Sequence, residues 1–483
     1  YGNPEMVYQG LAADGRSIFF TTSQWATTAL FNGSGIYASG GAVLLGSFTE
    51  TPGEANAVDE HLRQKNLAAD FIRTAQGIAG SGGILGVAAI YGYPVSGTNY
   101  RWEIAFRNDA GGTAAVPWRM SPTYLGGSAW ATGVAHYELA FTAGTSEYSA
   151  GETVSQGGVS AVVAKTILES GSWGTTAAGR LILTGLTGGN FAAGAIAGGG
   201  AATASGAQTQ VTFAPGGRFE FDVHDFGGGP RIYGCDGKNR PFELVDAKDL
   251  IFAPITTGMT TYPAFIKVHK KHLFLAYGTS LQHSGIGTPF VWSVVLGASE
   301  LSTGDTITGL LSQQANEGAS GALAVFNRNR TNVLYGSSSA NWQLVMTSPD
   351  TGALPYTVQN LGQAYYLDDR GINRISTAKE FGNFQFATLS RPVQKFIDQH
   401  RGMAVASVVV PSLNVYRLFF SDGLGLSMTV SGTKILGFMP LDLGFTASCT
   451  WFSEDETGAE VLLAGAANGT VYRMEKGTSF DGE

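Results

Sequence analysis

Residues 264–311 read AFIKVHKKHLFLAYGTSLQHSGIGTPFVWSVVLGASELSTGDTITGLL and form the most strongly patterned stretch of the chain. Phe265, Val268 and the apolar run 273–277 have the spacing of a strand that is covered on both faces. A second apolar run spans residues 290–296. An acidic turn follows it, and a third β-rich piece then spans residues 306–311. The stretch is therefore predicted to be strand, turn, strand, turn, strand, which is one sheet unit of a β-propeller.

Comparable strand starts recur along the second half of the chain at His272, Ala322, Ala364, Val415 and Glu460. The intervals between them are 50, 42, 51 and 45 residues, close to the period of roughly 40 to 50 residues in known propeller blades. Four of these runs are followed by polar or glycine-containing turns, at 327–330, 368–371, 421–423 and 466–469. Since each blade can bury its faces only against its neighbours, a near-constant period of this kind predicts an all-β propeller.

Three segments depart from the strand pattern. Residues 54–74 have apolar residues at helical spacing and predict one amphipathic helix, and residues 390–403 predict a short helix between blades, with Ser390 as N-cap and Pro392 early. Residues 142–212 hold few aromatic or charged residues but keep strand alternation, which predicts a small inserted β domain. The predicted organisation is an N-terminal β-rich part of the propeller at 1–141, the insert at 142–212, and blades at 213–483, with more chain expected beyond 483.

The composition restricts the classes of function. Glycine accounts for 68 of 483 residues and charged residues for only 14%, against about 25% in typical domains, which favours many tight turns and surface hidden in an assembly. The 29 basic and 37 acidic residues give a net charge of -8, which argues against a protein that grips nucleic acid by neutralising phosphates. Cys235 and Cys449 are predicted to be buried thiols.

Few residues have the spacing of a catalytic or metal site. His269 and His272 are separated by two residues within a predicted strand, and that spacing points them to opposite faces, so metal binding is not expected. The acidic side chains Asp222, Asp225 and Glu243 permit acid and base roles of a glycoside hydrolase, but solvated turn residues are the simpler interpretation. No nucleophile elbow, phosphate loop or zinc-protease motif is present, so no enzyme activity and no cofactor is expected.

Aromatic and apolar residues in the predicted elements are the candidates for structural roles. Five of them are predicted to lie in blade cores: His272, Phe274, Trp292, Trp342 and Tyr416. Three apolar residues of the predicted 54–74 helix are candidates for contact with a neighbouring subunit, with packing on their own domain as the alternative: Val58, Leu62 and Ile72.

Nine short phrases stand out from residue 233 onward. They are Tyr233-Gly-Cys-Asp-Gly237, Ile255-Thr-Thr-Gly-Met259, His269-Lys-Lys-His-Leu-Phe-Leu275, Gln282-His-Ser-Gly285, Asn327-Arg-Asn-Arg330, Leu361-Gly-Gln-Ala364, Leu367-Asp-Asp-Arg-Gly371, Tyr416-Arg-Leu-Phe-Phe420 and Gly477-Thr-Ser-Phe-Asp-Gly482. As a set, these phrases resemble those of tailed-phage virion proteins and are similar to the propeller-bearing nozzle or hub proteins of short phage tails. The insert likewise resembles small β modules of phage structural proteins.

The resemblance implies a non-enzymatic tail protein of the virion that forms a ring of identical subunits, six in number. Such a ring continues the channel of the portal and adaptor proteins and holds or guides genomic DNA, without sequence-specific binding and without membrane insertion. Two alternatives remain open at this point: a phage propeller that cleaves surface glycans with Asp222, Asp225 or Glu243, and a host-receptor-binding tail protein that makes contact through residues 148–196.

Overall fold

The computed structural model describes residues 77–95, 98–120, 130–313, 321–375, 388–432, 434–454 and 458–475. It also gives four short strands before them, in which β1 pairs with β2 and β3 pairs with β4. The helix predicted over residues 54–74, with Val58, Leu62 and Ile72, lies outside the described residues. The four strands are β1 (Tyr8–Leu11), β2 (Ser17–Phe20), β3 (Ile36–Tyr37) and β4 (Leu44–Gly46).

Seven antiparallel sheets follow one another and form the blades of a propeller, each with its strands in chain order from the inside outward. The innermost strands of blades 1 to 7 are β5 (Ser81–Val95), β16 (Glu220–His224), β20 (Phe265–His269), β24 (Ile307–Gln313), β28 (Gln359–Asn360), β31 (Ala404–Val410) and β35 (Ala447–Glu454). The second strands are β6 (Thr98–Asn108), β17 (Arg231–Cys235), β21 (His272–Tyr277), β25 (Ala322–Asn327), β29 (Ala364–Leu367), β32 (Val415–Phe420) and β36 (Glu460–Ala466).

The outer half of each blade is less regular. The third strands are β7 (Ala115–Met120), β18 (Phe242–Asp246), β22 (Ser280–His283), β26 (Thr331–Tyr335), β30 (Ile372–Arg374), β33 (Leu424–Ser431) and β37 (Val471–Met474). Fourth strands within the described ranges are β8 (Trp130–Thr132), β19 (Ile251–Pro254), β23 (Ser299–Ser302), β27 (Gln343–Ser348) and β34 (Lys434–Asp442).

The innermost strands close the ring. Each contacts the innermost strand of the next blade, and β35 of blade 7 contacts β5 of blade 1. A bridge between Gly77 and Thr470, with a 2.9 Å bond from the amide of Ile78 to the carbonyl of Gly469, ties the start of blade 1 to the end of blade 7. The predicted all-β propeller is therefore confirmed, with seven blades.

The repeat predicted from the sequence follows the second strands of the blades. All five predicted strand starts, from His272 to Glu460, are the first residues of second strands. Strands β21, β25, β29 and β32 are buried at every residue, since a second strand has a blade packed on each face and a strand on each edge. This explains why their continuous apolar runs gave the period.

The opening stretch was wrongly divided. Its first run is two strands, β20 and β21, and the apolar run 290–296 is a loop that ends in the 3₁₀ turn Val294–Leu296. Its third piece falls in β24 and so belongs to the next blade. The short helix predicted over 390–403 lies between blades 5 and 6 as α1 (Gln394–His400), with a 3₁₀ turn on each side. Ser390 does not cap this helix as predicted, because its hydroxyl accepts from the Ile372 amide.

The turns between the second and third strands of blades 2, 5, 6 and 7 are fixed by the same kind of side-chain hydrogen bond. Asp236 accepts bonds from the amides of Lys238 and Asn239 at 2.9 and 2.7 Å, and Asp368 does the same for Arg370 and Gly371. A short carboxylate that binds amides two and three residues ahead fixes a tight turn. Three of these four turns are among those predicted, at 368–371, 421–423 and 466–469. In the last two, Asp422 and Asn468 accept from the amides of Leu424 and Thr470.

The inserted β domain is a closed barrel between blades 1 and 2. Its strands run in the order β10-β11-β12-β9-β14-β13, and the bridge between Ser155 and Ala197 joins the two edges. The barrel begins at His136, earlier than the predicted boundary at 142. Its strands are β9 (His136–Ser146), β10 (Thr153–Gln156), β11 (Val159–Ser170), β12 (Ala177–Thr187), β13 (Gly194–Ile196), β14 (Ala201–Ala204) and β15 (Thr209–Gln210), the last paired with β9.

Seven apolar clusters separate consecutive blades and an eighth fills the barrel, within the described part of the chain. The seam between blades 1 and 2 is the most aromatic. Phe106 stacks on Phe219 with ring centroids 3.9 Å apart and also contacts Phe213, Phe242 and Phe252. Burial of such seams supplies the main stabilisation of a propeller, because a single blade cannot cover its own faces.

Phe106→Ala should lower the free energy of unfolding by about 3–5 kcal/mol, because it opens a cavity in the aromatic seam. Chemical unfolding followed by tryptophan fluorescence measures this loss. Val345→Ala is the matched control, since Val345 is 45% exposed, and it should leave the unfolding midpoint nearly unchanged. Equal midpoints for the two variants would contradict the assigned seam.

Candidate functional site

Three of the predicted blade-core residues lie together between blades 3 and 4. His272 and Phe274 of β21 contact Trp342 with ring centroids 5.6 and 5.7 Å apart. His283 of β22 joins them, 4.8 Å from His272. Elsewhere, Tyr416 is buried between blades 5 and 6 and donates to the carbonyl of Thr357, whereas Trp292 is half-buried beside blade 3.

The two histidines of the His-Lys-Lys-His motif lie on the same face, so the prediction of opposite faces is wrong. His269 and His272 are directly paired across the hairpin between β20 and β21. Lys270 and Lys271 form its two-residue turn with φ of 48° and 61°, which is the geometry of a type I′ turn. Two residues that flank such a turn face each other, and the strand period does not apply across it.

The three histidines of this seam are buried, and their ring nitrogens are unevenly paired. Nδ1 of His272 and Nδ1 of His283 lie 2.7 and 2.9 Å from the carbonyl oxygen of Ser284, so both nitrogens carry the proton. Nε2 of His283 accepts from the indole of Trp342, while Nε2 of His269 and of His272 is buried without a hydrogen-bond partner. Burial lowers the pKa of His269 and of His283 to about 4.

The seam does not form a metal centre of the usual kind. No group of three or more His, Cys, Asp or Glu side chains within the described ranges has the arrangement that holds a metal ion. Cys235 and Cys449 are both buried free thiols, as predicted.

The candidate carboxylates bind cations, a hydroxyl and backbone amides of the fold itself. Glu243 is not the solvated turn residue predicted from the sequence. Glu243 is 2% exposed and binds the ammonium of Lys165 and the hydroxyl of Tyr233. Asp222, on innermost strand β16, accepts from Lys267 at 2.7 Å and from the amide of Val268 at 2.6 Å. The exposed Asp225 caps the amides of Gly227 and Gly229.

An arginine crosses the middle of the ring. Arg218, just before β16, places its guanidinium 4.5 Å over the ring of Tyr356 and donates to the carbonyl of Val405 at 3.3 Å. It also lies 3.5 Å from Glu220, whose pKa is raised by burial against the opposing effect of this arginine. Blades 2, 5 and 6 therefore meet at one side chain, and no local sequence pattern predicts this long-range contact.

The barrel is docked on the outer edge of blade 2. Ile167 and Ile182 share an apolar cluster with residues of blades 2 and 3. Arg180 binds Glu138 and Glu169 within the barrel and donates to the carbonyl of Pro254 at 2.7 Å. Burial acts to raise the pKa of Glu138, but Arg240 of blade 2 and Arg180 outweigh it, so that the pKa is lowered.

A polar cleft of about 420 Å³ lies along this junction. Glu147 and Lys165 of the barrel and Arg231 and Glu243 of blade 2 line it. Since the buried Glu243 already accepts from Lys165 and Tyr233, its carboxylate oxygens are engaged and are not positioned to act as a free acid or base.

No family model matches the chain, and no curated protein matches its sequence. Solved structures that align with it include "Crystal structure of BBS1N in complex with ARL6DN, soaked with mercury", at 9% identity and a TM-score of 0.35, over 58% of this chain and 82% of that chain. Another is "Structure of U3-55K", at 10% identity and a TM-score of 0.32, over 51% and 74%. These likenesses carry no functional argument.

Among the residues that the structure describes, no helix has both the length and the apolar character of a membrane span.

Acid should destabilise the fold through the seam between blades 3 and 4. The unfolded chain binds protons at its histidines near pH 6.5 whereas the folded His269 and His283 resist protonation to about pH 4. Stability is therefore lost as the pH falls from 6.5 towards 4, by roughly 2 kcal/mol per group at pH 5. Urea unfolding at pH 7 and pH 5 measures this loss. His283→Gln should reduce the pH dependence, and an unchanged slope in that variant would contradict the assignment.

Glu243→Gln should lower the free energy of unfolding by roughly 3 kcal/mol, because it leaves Lys165 without its buried partner. Asp225→Asn is the matched carboxylate control and should have little effect, since its amide oxygen still accepts from the glycine amides. Unfolding curves of both variants test the difference. Full stability of Glu243→Gln, combined with loss of a glycan-cleaving activity present in the wild type, would favour the hydrolase alternative.

Proposed function

We propose that this chain is a non-enzymatic structural subunit of a phage tail, a nozzle or hub protein. Identical copies assemble into a ring that continues the portal and adaptor channel and holds or guides DNA. The set of phrases from residue 233 onward, quoted above, gives the proposal its biological setting. The number of copies, six, comes from the same resemblance.

The observation that carries the proposal is the structural use of the polar groups that a hydrolase would need. Asp222 links the innermost strands of blades 2 and 3, Glu243 links blade 2 to the barrel, and Asp225 fixes a turn. A catalytic acid and base must be free to exchange protons with a substrate. Because these carboxylates are occupied by amides and cations, the arrangement favours a scaffold over an enzyme.

The contacts in the middle of the propeller favour a DNA path that runs between subunits and not through a single propeller. Arg218 crosses the axis between blades 2, 5 and 6, and a duplex is far wider than a space that one side chain can span. A DNA channel in such an assembly must therefore lie between subunits. The net charge of -8 suits a path along which DNA slides, because a protein with a net negative charge has no overall attraction for phosphates.

The closed barrel favours a second candidate, a receptor-binding tail protein. It is a separate module with its own core, carried outside the ring of blades, which is a suitable position for contact with a host surface. In that case the purified protein should bind host cells, and substitutions on the exposed barrel surface should abolish binding while assembly continues.

Native mass spectrometry of the purified chain, alone and with portal and adaptor rings, tests the main proposal. The expected result is a closed ring, hexameric by the resemblance, formed alone or on addition of those rings. Because the proposed DNA path lies between copies, a chain that stays monomeric under both conditions would overturn the proposal.

A further inference from the structure

The polar cleft between the barrel and blade 2, about 420 Å³ in volume, has four charged side chains in its lining. Lys165 and Glu243 bind each other. The other two, Arg231 and Glu147, form no ion pair with any residue that the structure describes. They are therefore the charges of the cleft that remain available to a ligand.

The guanidinium of Arg231 is held over an aromatic ring. It lies 4.7 Å from the ring centroid of Tyr93, which is buried in blade 1. The Tyr93 hydroxyl donates to the carbonyl of Leu244 at 2.5 Å and accepts from the amide of Ile232 at 3.2 Å, so the ring below the guanidinium is itself fixed. A guanidinium that is stacked on one face still presents the N–H groups of its edge, which suit both oxygens of a carboxylate.

Glu147 lies on the barrel side of the cleft, in the turn between β9 and β10. The two residues that follow it are anchored: the hydroxyl of Thr166 donates to the carbonyl of Tyr148 at 2.7 Å, and Glu152 accepts from the amide of Ser149 at 3.0 Å. Glu147 itself is exposed, so a ligand can reach its carboxylate. Walls that are fixed in advance lose little conformational entropy on binding.

The volume and the charge of the cleft limit the class of ligand. Its volume of about 420 Å³ lies within the range of about 300–1,000 Å³ for small-molecule sites. Two cations and two carboxylates line it, so a polyanion such as a phosphate ester meets no net attraction. A ligand with one carboxylate and one ammonium group complements both Arg231 and Glu147, and neither of its charges is then desolvated without a partner.

We propose that this cleft binds a small zwitterion, whose carboxylate pairs with Arg231 and whose ammonium group pairs with Glu147. Free amino acids and short ω-amino acids belong to this class. Because Arg231 belongs to blade 2 and Glu147 to the barrel, a bound ligand also links the two modules. Ring assembly does not require this ligand, so the proposed function and the zwitterion site fail in different experiments.

A series of ω-amino acids from glycine to ω-aminohexanoate tests the site, because its members differ only in the separation of the two charges. Isothermal titration calorimetry of the purified chain should show one preferred chain length. The alkylamine and the alkanoate of that length should bind about tenfold or more weakly, since each lacks one ion pair. Absence of binding across the series, or equal binding of the singly charged compounds, would overturn the proposal.

Arg231→Gln and Glu147→Gln locate the bound zwitterion. Each removes one charge and should weaken binding of the preferred ω-amino acid about tenfold or more. Arg391→Gln is the matched control, because Arg391 is exposed on the 3₁₀ turn before α1, and it should bind as the wild type does. Circular dichroism checks the fold of each variant, and Glu147→Gln, on an exposed turn, keeps the test decisive if Arg231→Gln does not fold. Unchanged affinity in a folded cleft variant would overturn the proposal.

The outcomes separate the two proposals. A wild type that forms the ring in native mass spectra but binds no member of the series overturns the zwitterion site and leaves the proposed function standing. A wild type that stays monomeric with portal and adaptor rings, yet binds an ω-amino acid through Arg231 and Glu147, overturns the proposed function and supports the site.

Discussion

The structure depends on hydrogen bonds that join neighbouring blades near the axis. The hydroxyl of Ser448 donates to Ile84 between blades 7 and 1, Asp222 accepts from Val268 between blades 2 and 3, and Gln359 donates to Ser407 between blades 5 and 6. Blades wedge together most closely at the axis, where an innermost strand has no further strand on its inner edge. Side chains there must satisfy backbone groups as well as fill space.

This constraint explains why residues with catalytic chemistry do not form a catalytic site. The carboxylates and histidines of blades 2 and 3 lie where adjacent sheets need acceptors and donors, and burial keeps His269 and His283 neutral. The same logic places Arg218 over Tyr356, where the guanidinium contributes one cation to three blades at once. Polar residues near the centre of this molecule therefore specify blade spacing.

The sequence allowed the period of the fold to be predicted because second strands are covered on all sides. Their runs, such as 322–327, are continuous and apolar. The turn at Lys270 and Lys271 was missed because neither residue is one of the glycine or asparagine signals for positive φ. Residues 290–296 are as apolar as a strand, and only the structure shows that they form a loop ending in a 3₁₀ turn. Arg218 was missed because its partners are distant along the chain.

The bridge between Gly77 and Thr470 has a consequence for synthesis on the ribosome. Blade 1 emerges early, yet one of its faces is covered only by blade 7 and its edge is tied to a residue near the end of the described chain. Until that residue emerges, the nascent chain exposes an apolar face and an open strand edge, a state prone to aggregation. Completion of this fold is therefore a late event, and chain truncation before the last blade removes the closure of the whole ring.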